Sequence, residues 1–125
     1  MSPMVLTVPA KEEWVLVLRM AASGVSALFD VPVDVMDDLN VAIEESCDLL
    51  LHQDYHAETL TLRCEPRQDG LHVSLTAQER TRRQEEERAD PDIARLIIQT
   101  LVREVSLDED EVGVHCVHMT LPAGA

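Results

Sequence analysis

Residues 37–47 read Asp-Asp-Leu-Asn-Val-Ala-Ile-Glu-Glu-Ser-Cys, and the spacing of their apolar positions organises the rest of the chain. Leu39, Ala42, Ile43 and Ser46, continued by Val35 before them and Leu50 after, recur every three or four residues. That is the period at which side chains share one face of an α-helix. Asp34 stands where an N-cap would, with Asp37 three residues on in the manner of a capping box. Leu49 and Leu51 widen the stripe, so the last turn is apolar nearly all round. That end is expected to be deeply packed or covered by a partner.

Upstream, Met4 to Val8 is a short apolar run closed by Pro9 and reads as a strand. From Lys11 the period changes, and Trp14, Leu18, Ala21, Val25 and Leu28 predict a helix of about five turns, weakest at Gly24. The Val-Pro-Val step at 31–33 separates the two helices. Downstream, Leu60, Leu62 and Cys64 alternate, as do Leu71, Val73, Leu75 and Ala77, with Asp69-Gly70 between them. This is the pattern of a hairpin. Gln78 to Ala89 is polar and carries both signs of charge, which predicts a loop or a frayed, exposed helical segment. Asp90-Pro91 opens a third helix with a capping Asp and a Pro in the first helical position. Ile93, Ile97, Leu101 and Val105, flanked by Ile98 and Val102, are its expected buried face. An acidic turn at Asp108 to Glu111 then leads into a last strand, Val112 to Leu121. One domain over residues 1–125, a sheet covered on one face by helices, is the economical packing.

Composition narrows the function. A net charge of −14, from 24 acidic against 10 basic residues, repels phosphate backbones and argues against direct nucleic-acid binding. An acidic surface serves solubility or suits a basic protein partner. Trp14, Phe29 and Tyr55 are the only aromatics, so the core must be aliphatic. No apolar run approaches the ~20 residues that cross a bilayer, and no leader precedes the first strand, so a cytoplasmic protein is expected. Cys47, Cys64 and Cys116 are widely spaced and odd in number, which suits buried thiols in a reducing compartment. His52 and His56, and the run His115-Cys116-Val117-His118, invite a metal reading. Their spacing matches no zinc pattern and His115 points away from the strand face of Cys116 and His118, so no metal is expected. No serine or cysteine stands in a nucleophile elbow.

Three segments carry a resemblance. Val8-Pro9-Ala10-Lys11 before an amphipathic helix, residues 37–47, and Ile97-Ile98-Gln99-Thr100-Leu101-Val102-Arg103-Glu104-Val105 together resemble the anti-sigma-factor serine kinases. That group shares its ATPase fold with histidine kinases and gyrase. The resemblance implies an α+β fold, a two-layer α/β sandwich with a mixed sheet and three helices on one face. It also implies a nucleotide site, which can be carried over position by position. Glu45 matches the family's general base. Leu49 stands where an Asn ligates magnesium, and has no oxygen for a hard cation. Asp48 is adjacent but turned by about 100°. The family's Asp-x-Gly, which reads adenine, corresponds to Ala77-Gln78-Glu79. Its Gly-x-Gly against the phosphates corresponds to Asp92-Ile93-Ala94, where Asp90 and Asp92 would repel a triphosphate at the helix N-terminus. The space near Leu49, Ala77 and Asp92 is expected to be filled, and the run Glu79 to Arg88 is a docking helix or a remnant of the nucleotide lid.

The resemblance therefore implies a pseudo-ATPase without ATP or magnesium, with Glu45 a vestigial base. It would act in transcription regulation by binding a sigma factor or an anti-sigma antagonist protein, and family members commonly form homodimers. The alternative is an ATP- and magnesium-dependent serine/threonine kinase with a divergent site.

Overall fold

The computed structural model describes residues 2–123. Five strands form one sheet in the order β1-β2-β3-β5-β4: β1 Met4–Pro9, β2 Tyr55–Arg67, β3 Gly70–Arg82, β4 Glu104–Asp110 and β5 Gly113–Leu121. Every neighbouring pair is antiparallel, so the sheet is not the mixed one that the resemblance implies. Three helices, α1 Val15–Leu28, α2 Val33–Leu51 and α3 Pro91–Gln99, pack on one face of it. The α+β two-layer sandwich is as expected.

The core follows from the alternation of the strands. Leu60, Leu62 and Cys64 on β2 lie opposite Ala77, Leu75 and Val73 on β3, and all six are buried. Val117, Met119 and Leu121 continue the layer on β5. The turn at Gln68–Asp69 closes the hairpin, and Gly70 takes φ +134°. A Cβ at Gly70 would overlap the Leu121 carbonyl, so only glycine fits between the turn and the end of β5.

The helices bury stripes close to those the periodicity predicts, with two corrections. A single 3-10 turn, Glu12–Trp14, precedes α1, which buries Leu18, Ala22 and Val25 but leaves Leu28 77% exposed at its end. Helix α2 begins at Val33 behind Pro32, and no side chain caps it, so Asp34 lies inside the first turn, where its charge suits the helix dipole. The apolar end of α2 is deeply packed, one of the two arrangements expected of it: Leu49 and Leu50 are fully buried in the core and Leu51 is half-buried.

The largest departures lie downstream of β2. Helix α3 ends at Gln99, and Glu104–Asp110 is a strand rather than a helix end and an acidic turn. Val105 and Leu107 alternate inward along it, paired with Met119 and Val117. Strand β3 runs on to Arg82, so part of the predicted loop is sheet, and His56 lies in β2.

Candidate functional site

A groove of about 210 Å³ lies between α2 and α3, lined by Glu45, Asp48, Leu49, Ala89, Asp90, Ile93, Ala94 and Ile97. The helical period of α2 puts Glu45, Asp48 and Leu49 on adjoining positions of one side, with Leu49 in the floor and the two carboxylates on the rim. Asp48 thus shares the groove with Leu49, although one step along the helix turns it away from that residue. Ala94 closes the floor from α3. The space is only partly filled: Leu49 and Ala94 are buried, while the groove above them is open.

Helix α3 starts as its sequence predicts. Asp90 is the N-cap and its Oδ1 accepts the Asp92 N–H at 2.9 Å. This carboxylate therefore takes one of the free N–H groups with which a helix N-terminus would otherwise hold an anion. Asp92 is exposed in the first turn and does not line the groove.

Which face α3 presents is a correction. Ala94 and Ile98 are buried and Val102 follows them, whereas Ile93 is 58%, Leu96 64% and Ile97 38% exposed. The helix is turned by about one residue, roughly 100°, from the orientation that buries Ile93 and Ile97. It is the most amphipathic of the three helices, yet a row of isoleucine and leucine faces outward beside the groove.

Ala77 and Glu79 lie apart from the groove lining. Ala77 is buried opposite Leu60. Glu79 is exposed with φ +56°, a left-handed backbone that glycine adopts freely and other L-residues rarely do. The ladder between β2 and β3 breaks there, pairing Thr59 with Gln78 and Ala57 with Arg80 while skipping Glu79.

Sequence reasoning missed the residue that shapes one end of the groove. Gln53, fully buried just past α2, donates from Nε2 to the carbonyls of His52 at 3.0 Å and Ala89 at 3.1 Å. Its Oε1 accepts the Val114 N–H at 3.0 Å. The Ala89 N–H bonds back to the His52 carbonyl at 2.8 Å. Asp54 adds an ion pair to Arg88 at 2.8 Å and a backbone bond from Arg83 at 3.0 Å. Residues 83–89, between β3 and α3, are therefore latched to the end of α2 rather than free or helical. Gly113 permits this, since a Cβ there would overlap Gln53 Oε1. A glutamine in a polar stretch gives no periodic signal, and only its burial identifies it.

The thiols are structural. Burial pushes Cys47 up to about 12, with the charges of Asp48 and Glu44 adding, and burial alone raises Cys64 to about 12. Such groups stay protonated and unreactive near neutral pH. Asp108, Cys116 and His118 bring ligand-type atoms within 4.8 Å of one another on the sheet face away from the helices, as do Glu12, Asp48 and His52 near α1. In the first group His118 Nε2 bonds Asp108 Oδ2 at 2.7 Å and Cys116 contacts Thr76 Oγ1 at 3.2 Å. Burial raises the Cys116 thiol above its ordinary range, which opposes the thiolate a metal needs. Among the described residues no helix is long and apolar enough to cross a membrane.

No family model matches the chain, and no curated protein matches it. A solved structure, that of the RsbU and RsbW domains of Rv1364c from Mycobacterium tuberculosis, is similar to it with a TM-score of 0.75 at 14% sequence identity. The match covers 98% of this chain and 33% of that one, so the present chain spans about a third of its structural neighbour's length. At that identity the likeness is one of fold.

Proposed function

We propose that the chain is a non-catalytic regulatory protein that acts by binding another protein, in the manner of an anti-sigma factor. Its partner on this reading is a sigma factor or an anti-sigma antagonist protein, and its task is transcription regulation without contact to nucleic acid. The observation that carries the reading is the misfit between the groove and Mg-ATP on an ATPase-like fold. Leu49 fills the floor with a side chain that cannot ligate magnesium. The Asp90 carboxylate sits on the helix N-terminus that would face phosphates. Outside the groove, the positions that the resemblance assigns to adenine reading hold Ala77, which has no acceptor, and Glu79, a charged side chain in place of a glycine. Glu45 then has neither metal nor nucleotide to act upon, and its carboxylate belongs to the rim alone.

A second reading keeps one observation in its favour. Glu45 and Asp48 set two carboxylates, three residues apart, at the edge of an open groove, and an ATP-dependent serine/threonine kinase would use such a pair. Thermal unfolding with Mg-ATP separates the two. A ligand at ~100 times its dissociation constant adds about 2.7 kcal/mol of stability. The expected result is no shift in Tm at millimolar Mg-ATP; a saturable, magnesium-dependent rise overturns the non-catalytic reading. Light scattering on the same sample reports whether the homodimer common in the family forms.

A further inference from the structure

We propose that the groove between α2 and α3 is a docking site for a basic, amphipathic helical segment of another protein. This inference rests on the protein-binding reading and names the chemistry of the partner. The apolar ridge of that segment would seat against Ile93, Leu96 and Ile97, and its flanking lysines or arginines would meet Glu45, Asp48 and Asp90.

Two independent features lead there. The first is the orientation of α3, whose outward row of Ile93, Leu96 and Ile97 leaves large apolar surface in water beside a concave floor of Leu49 and Ala94. A contiguous apolar patch rimmed by polar groups marks an interaction surface more often than a scattered exposed residue does. The second is charge. Among the described residues, the three charged groups lining the groove are all carboxylates, and no lysine or arginine lines it. Two nearby arginines are held elsewhere, Arg88 by Asp54 at 2.8 Å and Arg19 by Glu44 at 2.7 Å, and Arg95 of α3 does not line the groove. Among the described residues Glu45 and Asp90 form no ion pair, so their negative potential is left for an incoming cation.

The same features choose among occupants. A second copy of a chain with net charge −14 would bring like charge to an acidic rim. An added β-strand would find no open ladder, because both walls are helices whose backbone bonds are internal. A helix laid between two helices, touching them through side chains alone, fits that geometry.

The test uses the full chain and a synthetic peptide of about 15 residues, with leucine at every third or fourth position and lysine or arginine flanking it. One control peptide carries glutamate for each basic residue, and another carries serine for each leucine. Fluorescence anisotropy should show saturable binding of the first peptide, weakened by added salt, and much weaker binding of both controls. Ile93→Ser with Ile97→Ser should weaken it about tenfold, as should Glu45→Gln with Asp90→Asn. The isoleucines are largely exposed and Asn caps a helix as well as Asp does, so both double variants should stay folded, with melting temperatures within several degrees of the native one. Equal binding of the glutamate or serine peptide overturns the proposal. So does an affinity unchanged in these variants, or one lost instead with Leu16→Ser and Met20→Ser on the exposed face of α1. Peptide binding that fails while Mg-ATP leaves Tm unmoved overturns the groove alone; a Mg-ATP shift overturns the reading beneath it.

Discussion

At the scale of single residues, Glu79 holds strain that the sequence does not reveal. Its φ of +56° costs an L-side chain roughly 1 kcal/mol, and the exposed carboxylate makes no ion pair among the described residues to offset it. Replacing it with glycine removes the strain and loses no ion pair or side-chain hydrogen bond among the described residues, though the glycine gains freedom in the unfolded chain. Glu79→Gly should therefore be neutral to stabilising, by up to about 1 kcal/mol in urea unfolding, where most surface glycines destabilise. A clear loss of stability would mean that the left-handed turn is not a property of the native state. Gln53 shows the opposite case, a residue with no sequence signal whose three hydrogen bonds join α2, the 83–89 segment and β5.

Among the elements, α3 carries the sharpest test of the structure against periodicity. Two adjoining stripes on this helix are apolar, Ile93 with Ile97 and Ala94 with Ile98, and either could face the core. The fold buries the second. Ile98→Ala should therefore cost about 2–4 kcal/mol in chemical denaturation, and Ile93→Ser or Ile97→Ser less than about 1 kcal/mol each. The reverse ranking would show that the helix sits in the rotation its spacing suggests. Strand β4 escaped sequence reading for a related reason. Its inward pair Val105 and Leu107 is short, and no glycine or proline separates it from α3. What makes it a strand is pairing with β5, from Glu104 opposite Thr120 onward. Of the groove, Glu45, Leu49 and Ala94 were legible as positions, while Ile93 and Ile97 read as core and Ala77, Glu79 and Asp92 turned out not to line it.

For the molecule as a whole, the excess of acid outweighs the ion pairs. Most of those pairs are at least partly exposed and contribute about 0–1 kcal/mol each, whereas a net charge of −14 is spread over a chain of 125 residues. Screening should relieve more repulsion than it weakens attraction. Raising sodium chloride from low to roughly 0.5 M, where the Debye length is well under 10 Å, should therefore raise Tm, by a few degrees for a domain of this size. A falling Tm would place the net electrostatic balance in the ion pairs instead.

Local periodicity by itself determined the three helices, the β2–β3 hairpin, the aliphatic core and the acidic surface. Each depends on residues close together in the chain or on composition. Tertiary structure alone decided the rotation of α3, the existence of β4, the latch at Gln53 and the exposure of Leu28. A stripe of side chains says that a helix has an apolar face. When two stripes qualify, only the neighbours it packs against determine which one leaves the water, and that choice is what leaves the groove apolar as well as acidic.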